Sequence, residues 1–186
     1  MALVIAAIAA LLVVIVAVSV PVAVRIVRDW SSSGTDRTVG DVHVYEGLRR
    51  DHTEGDVDYE QAPPVGGPHD PAWLDCGVYD VPVRDENAVH ALEHGTVWIT
   101  YNDDASEDDV ATLEELLPDE GILSPYPAQD APVVITVWGR QLEVDAADDP
   151  RLERFLEEFG DGHTAPEALA SCVGGVDTTE SDGVDV

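Results

Sequence analysis

The chain has 186 residues and carries 38 acidic side chains against nine basic ones, all of them Arg, for a net charge of −29. That length accommodates one domain with a sizeable core plus an appendage. A surface this acidic repels phosphate, which excludes nucleic acid as a direct partner and disfavours docking on anionic lipid.

Met1 to Val24 contains no charged residue, and Ser19 and Pro21 alone interrupt its Ala, Leu, Val and Ile. As a helix it reaches about 36 Å, against a hydrocarbon core of about 30 Å. The run is longer than a signal-peptide core of roughly 7–15 residues, and no basic stretch precedes it. One uncleaved transmembrane helix over residues 1–24 is therefore expected, with Trp30 at the membrane boundary, where Trp is enriched. Arg25, Arg28 and Arg37 follow the run, and the cytoplasmic preference of basic residues would put the main domain inside. Two Cys without C-x-x-C spacing suit instead a disulfide in an oxidising compartment. The reading adopted is a single-pass anchor with an extracytoplasmic domain, against the charge rule.

Residues 25–41 read as a polar linker. Val42 to Tyr45 alternates as a short strand, and Tyr59 to Pro71 is a Pro- and Gly-rich stretch that predicts an ordered irregular loop. Asp85 to His94 reads as a helix, with Asp85 as its N-cap and Gly95 at its end. Gly95 to Tyr101 follows as a strand. Ser106 to Leu117 is a second helix, opened by a capping box of Ser106 with Asp109 and stopped by Pro118. Pro132 to Trp138 is a strand that turns at Gly139-Arg140 and pairs back through Gln141 to Val144. Asp149-Pro150 opens a third helix, in which Leu152, Phe155, Leu156 and Phe159 share one face. From Val173 the acidic tail lacks core residues and is expected to be disordered. The fold class expected over residues 42–172 is α+β: a small, mainly antiparallel sheet with two or three helices covering one face.

Six His occur. His90 and His94 lie four apart on the first helix, where two imidazoles can share a metal ion, and they point away from Val89 and Leu92. They therefore meet solvent or line a cleft, and the loop carrying His52 and His69 is its expected lid. These four His form the expected metal site, with His43 and His163 as ordinary polar residues. Imidazole with carboxylate suits Zn(II) or Cu(II), and the lack of thioether and free thiolate argues against Cu(I). His90-Ala91-Leu92-Glu93-His94 also fits H-x-x-E-H, the pattern in which inverted zinc peptidases place two ligands and a Glu general base. On that alternative Glu93 is catalytic. Cys76 and Cys172 are expected to pair, closing a long loop worth about 4–5 kcal/mol in the chain-entropy model. Trp73, Trp98 and Trp138 read as core residues or as lining of the cleft.

The blocks HTEGDVDY, PPVGGPHDPAWLDCGVYDVPV, ENAVHALEHGTVWITY, SPYP and APVVITVWGRQLEVD lie between residues 52 and 145. Through them the sequence resembles the membrane-anchored bacterial family known as domain of unknown function 3105. The resemblance covers roughly residues 42–172. It implies an N-terminal anchor, an extracytoplasmic domain, and a shared site at His52, His69, His90, Glu93, His94 and Cys76. Three functions compete: a metal-binding envelope protein, a metal-dependent hydrolase, and a metal-free module that docks an envelope partner.

Overall fold

The structure is a computed structural model that describes residues 39–168, 170–177 and 179. Its elements run β1 (His43–Val44), β2 (Gly77–Val78), α1 (Asp85–Glu93), β3 (Val97–Tyr101), α2 (Glu107–Leu116), β4 (Gly121–Pro125), β5 (Val133–Val137), β6 (Arg140–Val144) and α3 (Pro150–Phe159). The strands form one six-stranded sheet in the order β1-β6-β5-β3-β4-β2. Among the described residues no helix is long and apolar enough to cross a membrane. The anchor expected over residues 1–24, Trp30 and the linker through residue 38 lie outside the described residues.

The class is α+β, but the sheet is mixed. β5 pairs antiparallel with β3 and β6, whereas β4 runs parallel to both β3 and β2. The parallel pair β3–β4 follows from the crossover through α2, because a helix between two strands returns the chain in the same direction. Sequence reading missed β4. Its five residues, GILSP, begin at Gly and end at Pro and carry too few β-branched side chains to stand out.

Helices also cover both faces rather than one. Strand alternation sends Val97 and Ile99 to one side, where Leu113 of α2 and Leu152 and Phe155 of α3 join them. It sends Trp98 to the other side, where Ala88, Val89, Ala91 and Leu92 of α1 pack with Ile122 and Trp138. Fully burying a Leu or Phe stabilises by about 1.5–3 kcal/mol, so each layer is a substantial anchor. The two later helices start as expected. Ser106 and Asp109 form a capping box, and the Asp149 side chain accepts from Arg151 N. α1 differs by one residue: Arg84 holds the N-cap position without a side-chain cap. Asp85 is engaged elsewhere, its Oδ2 accepting from the Tyr126 hydroxyl at 2.9 Å.

Both domain ends extend past the expected bounds. Val39, placed in the linker by sequence, is buried in the core beside α3. Part of the tail expected to be disordered is structured. Val176 bridges Leu74 and Thr179 bridges Val83. Val176 N donates to Trp73 O at 2.8 Å, and Asp75 N to Val176 O at 2.8 Å. The strap lies so close that a Cβ at Gly175 would stand 2.5 Å from Trp73 O. Cys76 and Cys172 are joined in a disulfide that staples its start.

Candidate metal centre

The Pro- and Gly-rich loop is ordered because the sheet supplies partners for its backbone. Gln141 Nε2 donates to Pro63 O at 3.0 Å and Gly139 N to Val65 O at 2.9 Å. The Tyr59 hydroxyl donates to Pro68 O at 2.6 Å. Burial, followed by the nearby carboxylates of Glu86 and Asp85, pushes that phenol well above its usual range, so it stays a donor. Gly66, at φ +137, presses onto Trp138, and a Cβ there would meet Leu48 Cδ1 at 2.8 Å. The loop must therefore carry Gly at this point.

The same loop is tied to α1. Arg84 Nη1 meets Asp70 Oδ2 at 2.7 Å and Arg84 Nε meets Glu86 Oε2 at 3.2 Å. Val57 N donates to the other Glu86 oxygen at 2.7 Å. Asn87 Nδ2 donates to Ala72 O at 2.6 Å. Burial alone would raise the Asp70 carboxyl, but the Ala72 N–H and the Arg84 guanidinium outweigh it and hold it below the ordinary value.

This packing brings His52, His69, His90 and Glu93 together, with one ligand atom of each within 4.8 Å of all the others. His52 and His69 sit side by side through a parallel bridge, in which Thr53 N donates to His69 O at 2.7 Å and His69 N to Asp51 O at 3.0 Å. His90 and Glu93 project from the loop-facing side of α1, three residues apart. Ring centroids are 5.0 Å apart for His52–His69, 4.9 Å for His52–His90 and 4.8 Å for His69–His90.

The tautomers follow from the acceptors. A carbonyl oxygen can only accept, so a ring nitrogen bonded to one carries the proton. His69 Nδ1 lies 2.8 Å from Gly67 O, and His90 Nδ1 lies 2.7 Å from Asp70 O. In its neutral form each ring then presents an unprotonated Nε2 whose lone pair can bind a cation. His69 Nε2 is fully buried and has no hydrogen-bond partner. It stands 3.0 Å from Glu93 Oε2, but off the line a hydrogen bond requires. His90 is pulled down to about 4 by burial, opposed by the Asp70 carbonyl and reinforced by the neighbouring His69, His94 and His52 rings. It is neutral, and so ligand-competent, at neutral pH.

His94 departs from expectation. Its ring centroid is 4.7 Å from that of His90, but it stands outside the group of four. Its Nδ1 donates to Ser171 O at 3.2 Å, and its Nε2 looks toward Glu167 Oε2 at 3.9 Å. Glu93, rather than His94, completes the group of four. The sequence signal for this was present, since i and i+3 share a helix face as i and i+4 do. Trp73 flanks the rings of His90 and His94, held by a hydrogen bond from its Nε1 to Cys172 O at 3.1 Å. Trp138 meets the His69 ring edge-on at 6.0 Å. Trp98 belongs to the core, while His43 and His163 are exposed.

No curated protein and no solved structure matches this chain. Residues 51–174, which hold the whole group of four, match the family model described as protein of unknown function (DUF3105), and the chain belongs to that family.

Proposed function

We propose that this is a membrane-anchored, extracytoplasmic protein that binds one divalent metal ion, Zn(II) or Cu(II), through His52, His69, His90 and Glu93. The observation that carries the reading is the buried, partnerless Nε2 of His69, aimed into a cluster of two further imidazoles and a carboxylate. A buried polar atom without a partner costs free energy, and a metal ion would recover it. Nitrogen and carboxylate donors, with the cysteines locked in a disulfide, suit Zn(II) or Cu(II) over Cu(I). The H-x-x-E-H hydrolase reading is less well served, because it needs His94 as a ligand and Glu93 as a free base. The membrane location is supported by the uncharged run of residues 1–24, and the oxidising compartment by the Cys76–Cys172 disulfide.

The test is metal analysis of the full chain, purified in detergent without a His tag and incubated with Zn(II) or Cu(II). One tightly held equivalent is expected. No uptake at micromolar metal would remove the metal reading and leave an envelope docking module in its place. For the location, protease added to intact spheroplasts should digest the domain, and protection until lysis would reverse the orientation.

A further inference from the structure

The four ligand groups are not held alike. His69 and His90 are buried, and each is clamped at Nδ1 by a backbone carbonyl. Glu93 is buried on α1. His52 is exposed. Its backbone is fixed by the bridge to His69, but among the described residues its ring makes no hydrogen bond and meets the rings of His69 and His90 alone. A ligand oriented by an outer partner binds with its ordering already done, whereas a free ring loses rotamer freedom when it binds.

We infer that His69, His90 and Glu93 are the permanent ligands, and that His52 is a displaceable fourth ligand whose place a small anion from solution takes. The inference rests on the metal reading above. Two neutral imidazoles and one carboxylate leave a divalent ion with one net positive charge. In a largely buried site that charge favours an anionic donor, such as hydroxide or a small carboxylate, over a neutral one. The exposed edge of the group is the His52 edge, so the anion enters there. The exposed segment just before it carries Arg49, paired with Asp51 at 2.8 Å, and Arg50. Three protein ligands, two His and one Glu, with one exchangeable position are the pattern of a reactive rather than a purely structural zinc site.

The test uses the full chain in detergent, loaded with Co(II) as a spectroscopic probe and titrated with azide as the anion. His52→Ala should keep one equivalent of metal with affinity within about a hundredfold of wild type. Glu93→Gln and His90→Ala should lose stoichiometric binding. Azide should shift the visible Co(II) bands of both wild type and His52→Ala, at concentrations about tenfold lower in the variant, a free-energy difference of about 1.4 kcal/mol. Loss of metal in His52→Ala as complete as in Glu93→Gln overturns the inference, as does a loaded protein whose bands azide leaves unchanged. His52 is exposed, so its replacement leaves the fold intact. A wild-type chain that takes up no metal is a different result, and it overturns the metal reading itself.

Discussion

His69 Nε2 and Glu93 Oε2 stand 3.0 Å apart, with side chains 0 % and 5 % exposed, and do not hydrogen-bond. With the His69 ring in its neutral, metal-binding form, a lone pair faces a buried carboxylate, which is repulsive, and both have lost their water. On the proposed function, a cation between the two groups would relieve that repulsion. Metal at a hundred times its dissociation constant should stabilise the fold by about 2.7 kcal/mol. Thermal unfolding should shift upward by several degrees with Zn(II), and the shift should vanish in Glu93→Gln.

The pH response of the metal-free protein follows from His90. Its folded pKa is about 4 against an ordinary 6.5. Between those values the unfolded chain binds a proton at this ring that the folded chain does not. Stability from this group should therefore fall as pH drops from 6.5 toward 4 and be independent of pH above that window. His90→Gln should flatten that part of the curve of unfolding midpoint against pH. An unchanged slope in the variant would assign the dependence to other groups.

Arg84 spans the lid and the helix. It contacts Asp70, Glu86 and, at 3.9 Å, Asp56. Arg84→Met should cost about 1.5–3 kcal/mol, because the largely buried Asp70 and Glu86 lose their cation. Asp70 O also orients His90, so metal affinity should fall by about 10–100-fold. Denaturant titration and competition with a chelator measure the two effects separately.

The disulfide closes a loop spanning 96 positions, and the strap it starts supplies the carbonyls that hold His94 and Trp73. Cys172→Ser should lower stability by up to about 4–5 kcal/mol in denaturant titration. None of the four proposed ligands lies on the strap, so the variant should still take up one equivalent of metal while folded.

Much of this molecule was readable one segment at a time. The capping box at Ser106, the amphipathic run from Leu152 to Phe159 and the β5–β6 hairpin are written in residues three or four apart, or in strict alternation. The neighbours that enforce them are therefore close in the chain. The pairing of Cys76 with Cys172 followed from there being two Cys in the chain. β4 was not readable in this way. Its strand state comes from lying between β3 and β2 in the sheet, which no property of GILSP by itself announces.

The site divides along the same line. The sequence alone determined that a helix presents His90 and His94 on one face, with Glu93 between them in the H-x-x-E-H string, and that a stiff loop carries His69. Helix geometry cannot choose between Glu93 and His94, because both lie one turn from His90. Tertiary contacts made the choice: Ser171 O, 77 positions away in the chain, takes the Nδ1–H of His94, while Asp70 O, 20 positions away, takes that of His90. Those carbonyls reach the rings only once the sheet, the loop and the strap have packed, so which side chains gather in the group of four is a property of the folded chain.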